Sequence, residues 1–344
     1  MRADEAATPH PGRLYKRQVP VELPITPASA ALFRFGEQCN NHCPMCSNTG
    51  DPALFFHNTE ELLRRAAFLH ASGFRRVVVT GGEPTIHPGF WRIIDELRSL
   101  DMVWDTNTHG RSFAQSSFTD RAVASGLQRA IVSLHSFDPS VSAAIFGASE
   151  QAHQETVAGI DRLLAAGIEV IVNCVLSRLN LHQLDDYLRI GAARWPRASF
   201  KLVFPSTLGK GGKWPEIVGL RLADIAEPIR RARAVAKAAG IELWFESLPN
   251  CVIGDAEIVN YGRSTFGESH YLDDASGEHI YSMRHIEAEI FAFGENCRKC
   301  VAARRCSGVS HTYATSHGLD ELVPFLTPSS AATLRRQLHS EPMA

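Results

Sequence analysis

Several things are scarce in this chain of 344 residues, and each absence closes off a class of function. No run of about 18 apolar residues occurs, and the N-terminus lacks the apolar core of a secretory signal. The reading is therefore a cytoplasmic protein without a membrane partner. Charge of one sign is missing too: 35 Lys and Arg stand against 37 Asp and Glu, a net charge of −2. Without a broad basic field, nucleic acid is not an expected partner. Arg230, Arg231 and Arg233 lie in an alanine-rich helical pattern and read as a solvated face. A disulfide framework is also absent. Seven of the eight cysteines fall in or near cluster-like spacings, which in a cytosolic chain points to metal ligands.

What is present begins with Glu37-Gln38-Cys39-Asn40-Asn41-His42-Cys43-Pro44-Met45-Cys46, where three and then two residues separate the cysteines. Such a loop can wrap three thiolates round one iron–sulfur cube and leave one iron open to a small chelating molecule. The plainer readings are a zinc knuckle or three buried thiols, but zinc usually takes four ligands with C-x2-C pairing. About forty residues on comes Val77-Val78-Val79-Thr80-Gly81-Gly82-Glu83-Pro84-Thr85, an apolar run that stops at two glycines. This pattern predicts a buried strand ending in a turn where backbone passes close to a ligand.

Together these stretches resemble the radical S-adenosylmethionine (radical SAM) enzymes. The resemblance implies that Cys39, Cys43 and Cys46 hold a [4Fe–4S] cluster whose open iron is chelated by SAM. It places Gly81, Gly82, Glu83 and Pro84 around the SAM ammonium and Met45 beside the cofactor. One electron from the cluster then splits SAM and releases a 5'-deoxyadenosyl radical.

Residues 1–30, with prolines at 9, 11, 20, 24 and 27, show no period and read as an arm. From 31 to 246 the pattern is regular. Strands are expected at 31–37, to Thr80, 103–106, 130–134, 168–176 and 199–204, with a further one at 241–245. Helices are expected over 59–69 behind Asn58, around Phe90, Ile93, Ile94 and Leu97, and over 220–239 despite Pro228. Six strand–helix repeats make a parallel sheet with right-handed crossovers. The fold class is α/β: a partial (β/α)6 TIM-like barrel, as in the radical SAM fold, followed by a small irregular iron–sulfur module.

In such barrels the chemistry sits at the carboxyl ends of the strands. Those ends carry Asn107 and His109 after strand three, Ser133 and His135 after strand four, and Asn173 on strand five. By resemblance Asn107, Ser133 and Asn173 line the cofactor; otherwise each is a capping or turn residue. His109 and His135 are the candidates for proton transfer. Cys174 reads as a small core hydrophobe. Ser206–Pro215 lacks the spacing of a phosphate-binding loop and reads as a mobile loop at the barrel mouth, with Lys210 and Lys213 available to substrate carboxylates.

From 247 the periodicity fails and cysteines return as Cys251, Cys297, Cys300 and Cys306. This run resembles the SPASM and twitch extensions, which bind auxiliary [4Fe–4S] clusters. Gly267 and Ser310 stand where the full SPASM pattern has cysteines, so the resemblance implies a reduced module over 247–326 with one auxiliary cluster, before a tail at 327–344. Four cysteines containing a C-x2-C pair also suit zinc. His270, His279 and His285 read as part of a solvated loop.

The function implied is a radical SAM oxidoreductase served by a flavodoxin- or ferredoxin-type electron donor. The favoured substrate is a ribosomally made peptide. The alternatives are a dehydrogenase or epimerase of a small polar metabolite such as an aminoglycoside or nucleoside, and, from another class, a non-catalytic iron–sulfur carrier.

Overall fold

The structure, a computed structural model, describes residues 23–49, 51, 55–206, 209–259, 261, 269–273 and 276–326. Most of the expected arm, the tail at 327–344 and Gly267 lie outside the described residues.

Seven strands follow one another in a parallel sheet: β1 (Ala30–Arg34), β2 (Arg76–Thr80), β3 (Val103–Thr108), β4 (Leu127–Ser133), β5 (Glu169–Val175), β6 (Ser199–Val203) and β7 (Leu243–Glu246). The helices of the crossovers include α1 (Thr59–Ala71), α2 (Phe90–Ser99), α3 (Ser116–Ala124), α4 (Pro139–Phe146), α5 (Glu150–Ala165) and α6 (Leu184–Arg194). The β-branched run of β2 is buried on both faces, as a parallel strand between helices and barrel interior must be. Val77, Val79, Trp104, Val132, Val172 and Phe200 face the helices, and Cys174 lies among them as expected. Val78, Ile131 and Ile171 face inward and pack with Tyr261.

Local signals explain the helices. Asn58 caps α1 by accepting the Glu61 N–H at 2.8 Å. Phe90, Ile93, Ile94 and Leu97 of α2 are all buried, one apolar stripe at helical spacing. After a short helix α7 (Pro215–Val218), α8 (Leu222–Ala239) runs straight through Pro228. An internal proline costs about 3 kcal/mol. Burying Leu222, Ile225 and Ile229, at about 1.5–3 kcal/mol each, more than offsets it.

The sheet is wider than six repeats. Beyond β1 lie β8 (Ser269–Leu272), parallel to β1, and β9 (Ile280–Ser282), antiparallel to β8. Ser269–Leu272 and Ile280–Ser282, which the sequence reading places in the C-terminal module, thus extend the barrel's sheet. His270 corrects the expectation of a solvated loop. It is 1% exposed, its ring meets Phe74 edge-on at 5.3 Å, and its Nε2 lies 3.3 Å from the Leu23 carbonyl oxygen. Residues 291–326 form the remainder of the module, with a short antiparallel pair, β10 (Phe291–Ala292) and β11 (Val309–Ser310). Among the described residues no helix is long and apolar enough to cross a membrane.

Candidate active site at the carboxyl ends of the strands

The loop leaving β1 carries Cys39, Cys43 and Cys46 over the ends of the strands, where all three line a cavity of about 240 Å³. Its floor includes Gly81 and Gly82, and its walls include Asn107, Ser133, His135, Met45 and Val175. The two glycines are required by backbone approach. A Cβ on Gly81 would sit 2.3 Å from the Gly36 carbonyl oxygen, and one on Gly82 2.1 Å from that of Gln38. Their turn is laced to the root of the cysteine loop, since Gly82 N–H donates to Gly36 and Glu83 N–H to Gln38, at 2.9 and 2.8 Å. Backbone does pass close here, as expected, and the partner that enforces it is the cysteine loop itself.

Glu83 departs from its expected role. Its carboxylate is buried and accepts from Thr85 Oγ1 at 2.6 Å, Thr108 Oγ1 at 2.8 Å and the His109 N–H at 2.8 Å. Four oxygen lone-pair directions are thereby largely spent inside the protein, so the carboxylate joins β2 to the end of β3 instead of facing the cavity. Pro84 is buried beside it and opens a short 3₁₀ turn.

Asn107 and Ser133 line the cavity, and Asn173 does not. Asn173 pairs in register with Ser133 on one side and Lys201 on the other, and Val175, one pleat nearer the mouth, takes the lining position. Lys201 is paired with Glu246 at 2.6 Å and lies 4.3 Å over the Tyr261 ring.

Neither histidine is set up as a base. The His109 ring donates from Nε2 to Asn40 Oδ1 at 2.6 Å, and its Nδ1 accepts the Arg111 N–H at 3.2 Å. Burial lowers its basicity, outweighing the opposite pull of Glu83. His135 accepts the Val175 N–H at Nδ1, so its proton sits on Nε2, and burial pushes its pKa down to about 3. It is a neutral imidazole in the cavity wall, suited to donating a hydrogen bond.

The Gly209–Lys213 turn is also not free at the mouth. Lys210 N–H donates to Asn48 and Gly211 N–H to Cys46, at 3.1 and 3.0 Å, which lays the turn along the cysteine loop and puts Lys210 in the cavity wall. Sequence reasoning missed the clamps on this loop. Glu37 accepts from both the N–H and Oγ1 of Thr49, at 3.1 and 3.0 Å, closing the loop's two ends. Arg111, paired with Glu155 at 2.7 Å, donates to Asn41 Oδ1 at 3.0 Å. No sequence signal marks these pairs, whose partners lie 12 and 70 residues apart.

The donor set suits an iron–sulfur cluster. Burial raises the Cys39 and Cys43 thiols to about 11 and about 12. A cationic metal beside such thiols favours their thiolate forms. Among the described residues no group of three or more His, Cys, Asp or Glu is gathered for a single metal ion. Cluster thiolates each bind a separate iron, so three cysteines spread round one cavity suit a cube. Backbone adds a donor, the Asn41 N–H at 3.3 Å from Cys39 Sγ.

The C-terminal cysteines are brought together in the same manner. Cys251, on the short helix α9 (Asn250–Ile253), lines one pocket with Cys297, Cys300 and Cys306 despite the long gap in sequence. Three backbone N–H groups point at these sulfurs: Gly308 and Asn250 at Cys306, at 3.3 and 3.4 Å, and Phe325 at Cys300, at 3.3 Å. Tyr313 docks the module on the barrel by accepting the Leu222 N–H at 2.8 Å.

This geometry can be set beside that of known proteins. Residues 33–190 match the model of the Radical SAM superfamily. GTP 3',8-cyclase of Vibrio cholerae serotype O1 is 31% identical over 154 residues, 43% of this chain and 45% of that protein. The probable GTP 3',8-cyclase of Sulfurisphaera tokodaii is 30% identical over 152 residues, 44% and 48% of the two chains. The match thus spans about half the length of these curated relatives. Among solved structures, Streptococcus suis SuiB bound to precursor peptide SuiA superposes with a TM-score of 0.59 at 12% identity, over 87% of this chain and 75% of that one. Native anSMEcpe with bound AdoMet and Kp18Cys peptide gives 0.58 at 11% identity, over 90% and 96%. At such identities the likeness is one of fold.

Proposed function

We propose that the chain, whose residues 33–190 match the Radical SAM superfamily model, is a radical SAM enzyme, a two-cluster oxidoreductase acting on a ribosomally made peptide. The observation that carries the reading is the second set of four cysteines, gathered in one pocket outside the matched segment. Cys251, Cys297, Cys300 and Cys306 would hold an auxiliary [4Fe–4S] cluster, and Cys39, Cys43 and Cys46 the SAM-binding one. When bound, the cluster and SAM supply one electron and a 5'-deoxyadenosyl radical for hydrogen abstraction; the auxiliary cluster supplies an acceptor for the substrate electron.

The chain's own residues bind and shield. The Gly81 and Gly82 backbone, Asn107 and Ser133 offer hydrogen bonds to SAM along one side of the cavity, and His135 Nε2–H adds a neutral donor. Met45, Phe146 and Val175 form the apolar wall that keeps water from a reactive radical. A flavodoxin- or ferredoxin-type protein would supply the electron.

A nucleotide substrate is the second reading, favoured by the cyclase relatives. Charge argues against it. A triphosphate needs several cations, yet Arg111 is paired with Glu155 and Lys201 with Glu246. Among the described lining residues Lys210 alone is cationic. The test is to incubate the reduced, reconstituted protein with SAM and either GTP or candidate precursor peptides. The expected result is 5'-deoxyadenosine with a peptide lighter by two hydrogens. A cyclised nucleotide instead would overturn the peptide assignment.

A further inference from the structure

The turn Gly209–Lys213 is built to hold one side chain. Gly209 adopts φ +63°, and a Cβ there would lie 2.2 Å from the Ser47 carbonyl oxygen; a Cβ on Gly211 would lie 2.4 Å from that of Ser206. Two main-chain hydrogen bonds, from Lys210 to Asn48 and from Gly211 to Cys46, fix the turn along the segment that carries the third cysteine. Lys210 between them lines the same cavity as Cys39, Cys43 and Cys46. Among the described residues no carboxylate pairs with its ammonium. The nearby cation Arg34 is engaged with Glu37 at 3.6 Å and with Asn48 Oδ1 at 3.3 Å, and Arg111 with Glu155.

An ammonium lining a half-enclosed cavity acts on whatever anion the cavity holds, with less screening than on the open surface. A cube bound by three thiolates is anionic and gains a further negative charge on one-electron reduction. A fixed cation beside it stabilises the reduced state more than the oxidised one. We infer that Lys210 is a tuning residue, held by the Gly209–Lys213 turn, whose positive charge raises the reduction potential of the cluster bound by Cys39, Cys43 and Cys46. The inference rests on the cluster assignment made above. It goes beyond that assignment in giving the glycine–lysine turn a task other than substrate capture.

The experiment is a potentiometric titration of the full reconstituted chain, followed by electron paramagnetic resonance. The signal to track is the one whose line shape changes on adding SAM, which identifies the cluster independently of its potential. Lys210→Gln should titrate at a more negative midpoint than wild type, and Lys210→Arg, which keeps the charge, close to wild type. Gly209→Ala, which displaces the turn without removing the charge, should shift in the same direction as Lys210→Gln and carries the test if that variant loses iron. A Lys210→Gln midpoint equal to wild type, or equal shifts in the Gln and Arg variants, would overturn the inference. Absence of any SAM-responsive signal in wild type would instead overturn the cluster assignment.

Discussion

Glu83 and His109 are bound to each other through main chain and side chain: the His109 N–H donates to Glu83 Oε2 at 2.8 Å, while the same residue's ring reaches Asn40 Oδ1 at 2.6 Å. The end of β2, the end of β3 and the cysteine loop are therefore one hydrogen-bonded unit. The geometry of the cysteine loop thus depends on Glu83, a buried carboxylate outside the cavity lining.

Glu83→Gln tests that unit. The amide would present a donor where the carboxylate accepts several, leaving at least one buried N–H or O–H unsatisfied at a cost of about 1–3 kcal/mol. The melting temperature of the protein without SAM should fall. An unchanged melting temperature with weakened SAM binding would instead make the carboxylate a cofactor ligand.

Gly82→Ala places a methyl group 2.1 Å from the Gln38 carbonyl oxygen. Relief requires moving the root of the cysteine loop, at a cost of about 1–3 kcal/mol. The expected outcome is loss of the SAM-responsive cluster signal with circular dichroism retained. Full cluster loading in this variant would contradict the close packing of the two backbones.

Buried imidazoles predict acid sensitivity. Burial holds His87, His135 and His153 below the ordinary imidazole range. The unfolded chain, whose imidazoles titrate near about 6.5, then binds more protons than the folded one as pH falls. The stabilisation is fully present above about pH 6.5 and is lost progressively below it. Melting temperatures measured from about pH 7.5 down to about pH 5 should decline. A flat profile would contradict the burial of these rings.

Cysteine substitutions should divide sharply. Cys174 is wholly buried among apolar side chains, and Cys174→Ala should cost on the order of 1 kcal/mol without loss of iron. Cys43→Ala should abolish SAM cleavage while the C-terminal cysteines keep their metal. Iron and nucleoside assays on the two variants check both outcomes.

Much of this architecture is legible in the sequence because periodicity reports burial directly. Phe90, Ile93, Ile94 and Leu97 mark the buried stripe of α2, and the run Val77–Val79 marks β2. The cysteine spacings and the double glycine locate the cavity. Less legible is whatever depends on a partner far along the chain. β8 does alternate, with His270 and Leu272 buried and Ser269 and Tyr271 half-buried, but its partner β1 lies some 240 residues earlier and its histidine and acidic flanks look solvated. The inward turn of Glu83 depends on donors from Thr108 and His109, which no spacing rule connects to it. Asn173 fails to reach the cavity only because one further pleat puts Val175 there.

The central claim, two clusters on one chain, is tested most directly by counting iron and sulfide in anaerobically reconstituted protein, beside the same count for Cys306→Ala. The account predicts about eight irons per wild-type chain, two cubes of four, falling to about four in the variant while 5'-deoxyadenosine formation from SAM persists. About four irons in wild type, with zinc bound and no change on losing Cys306, would contradict it.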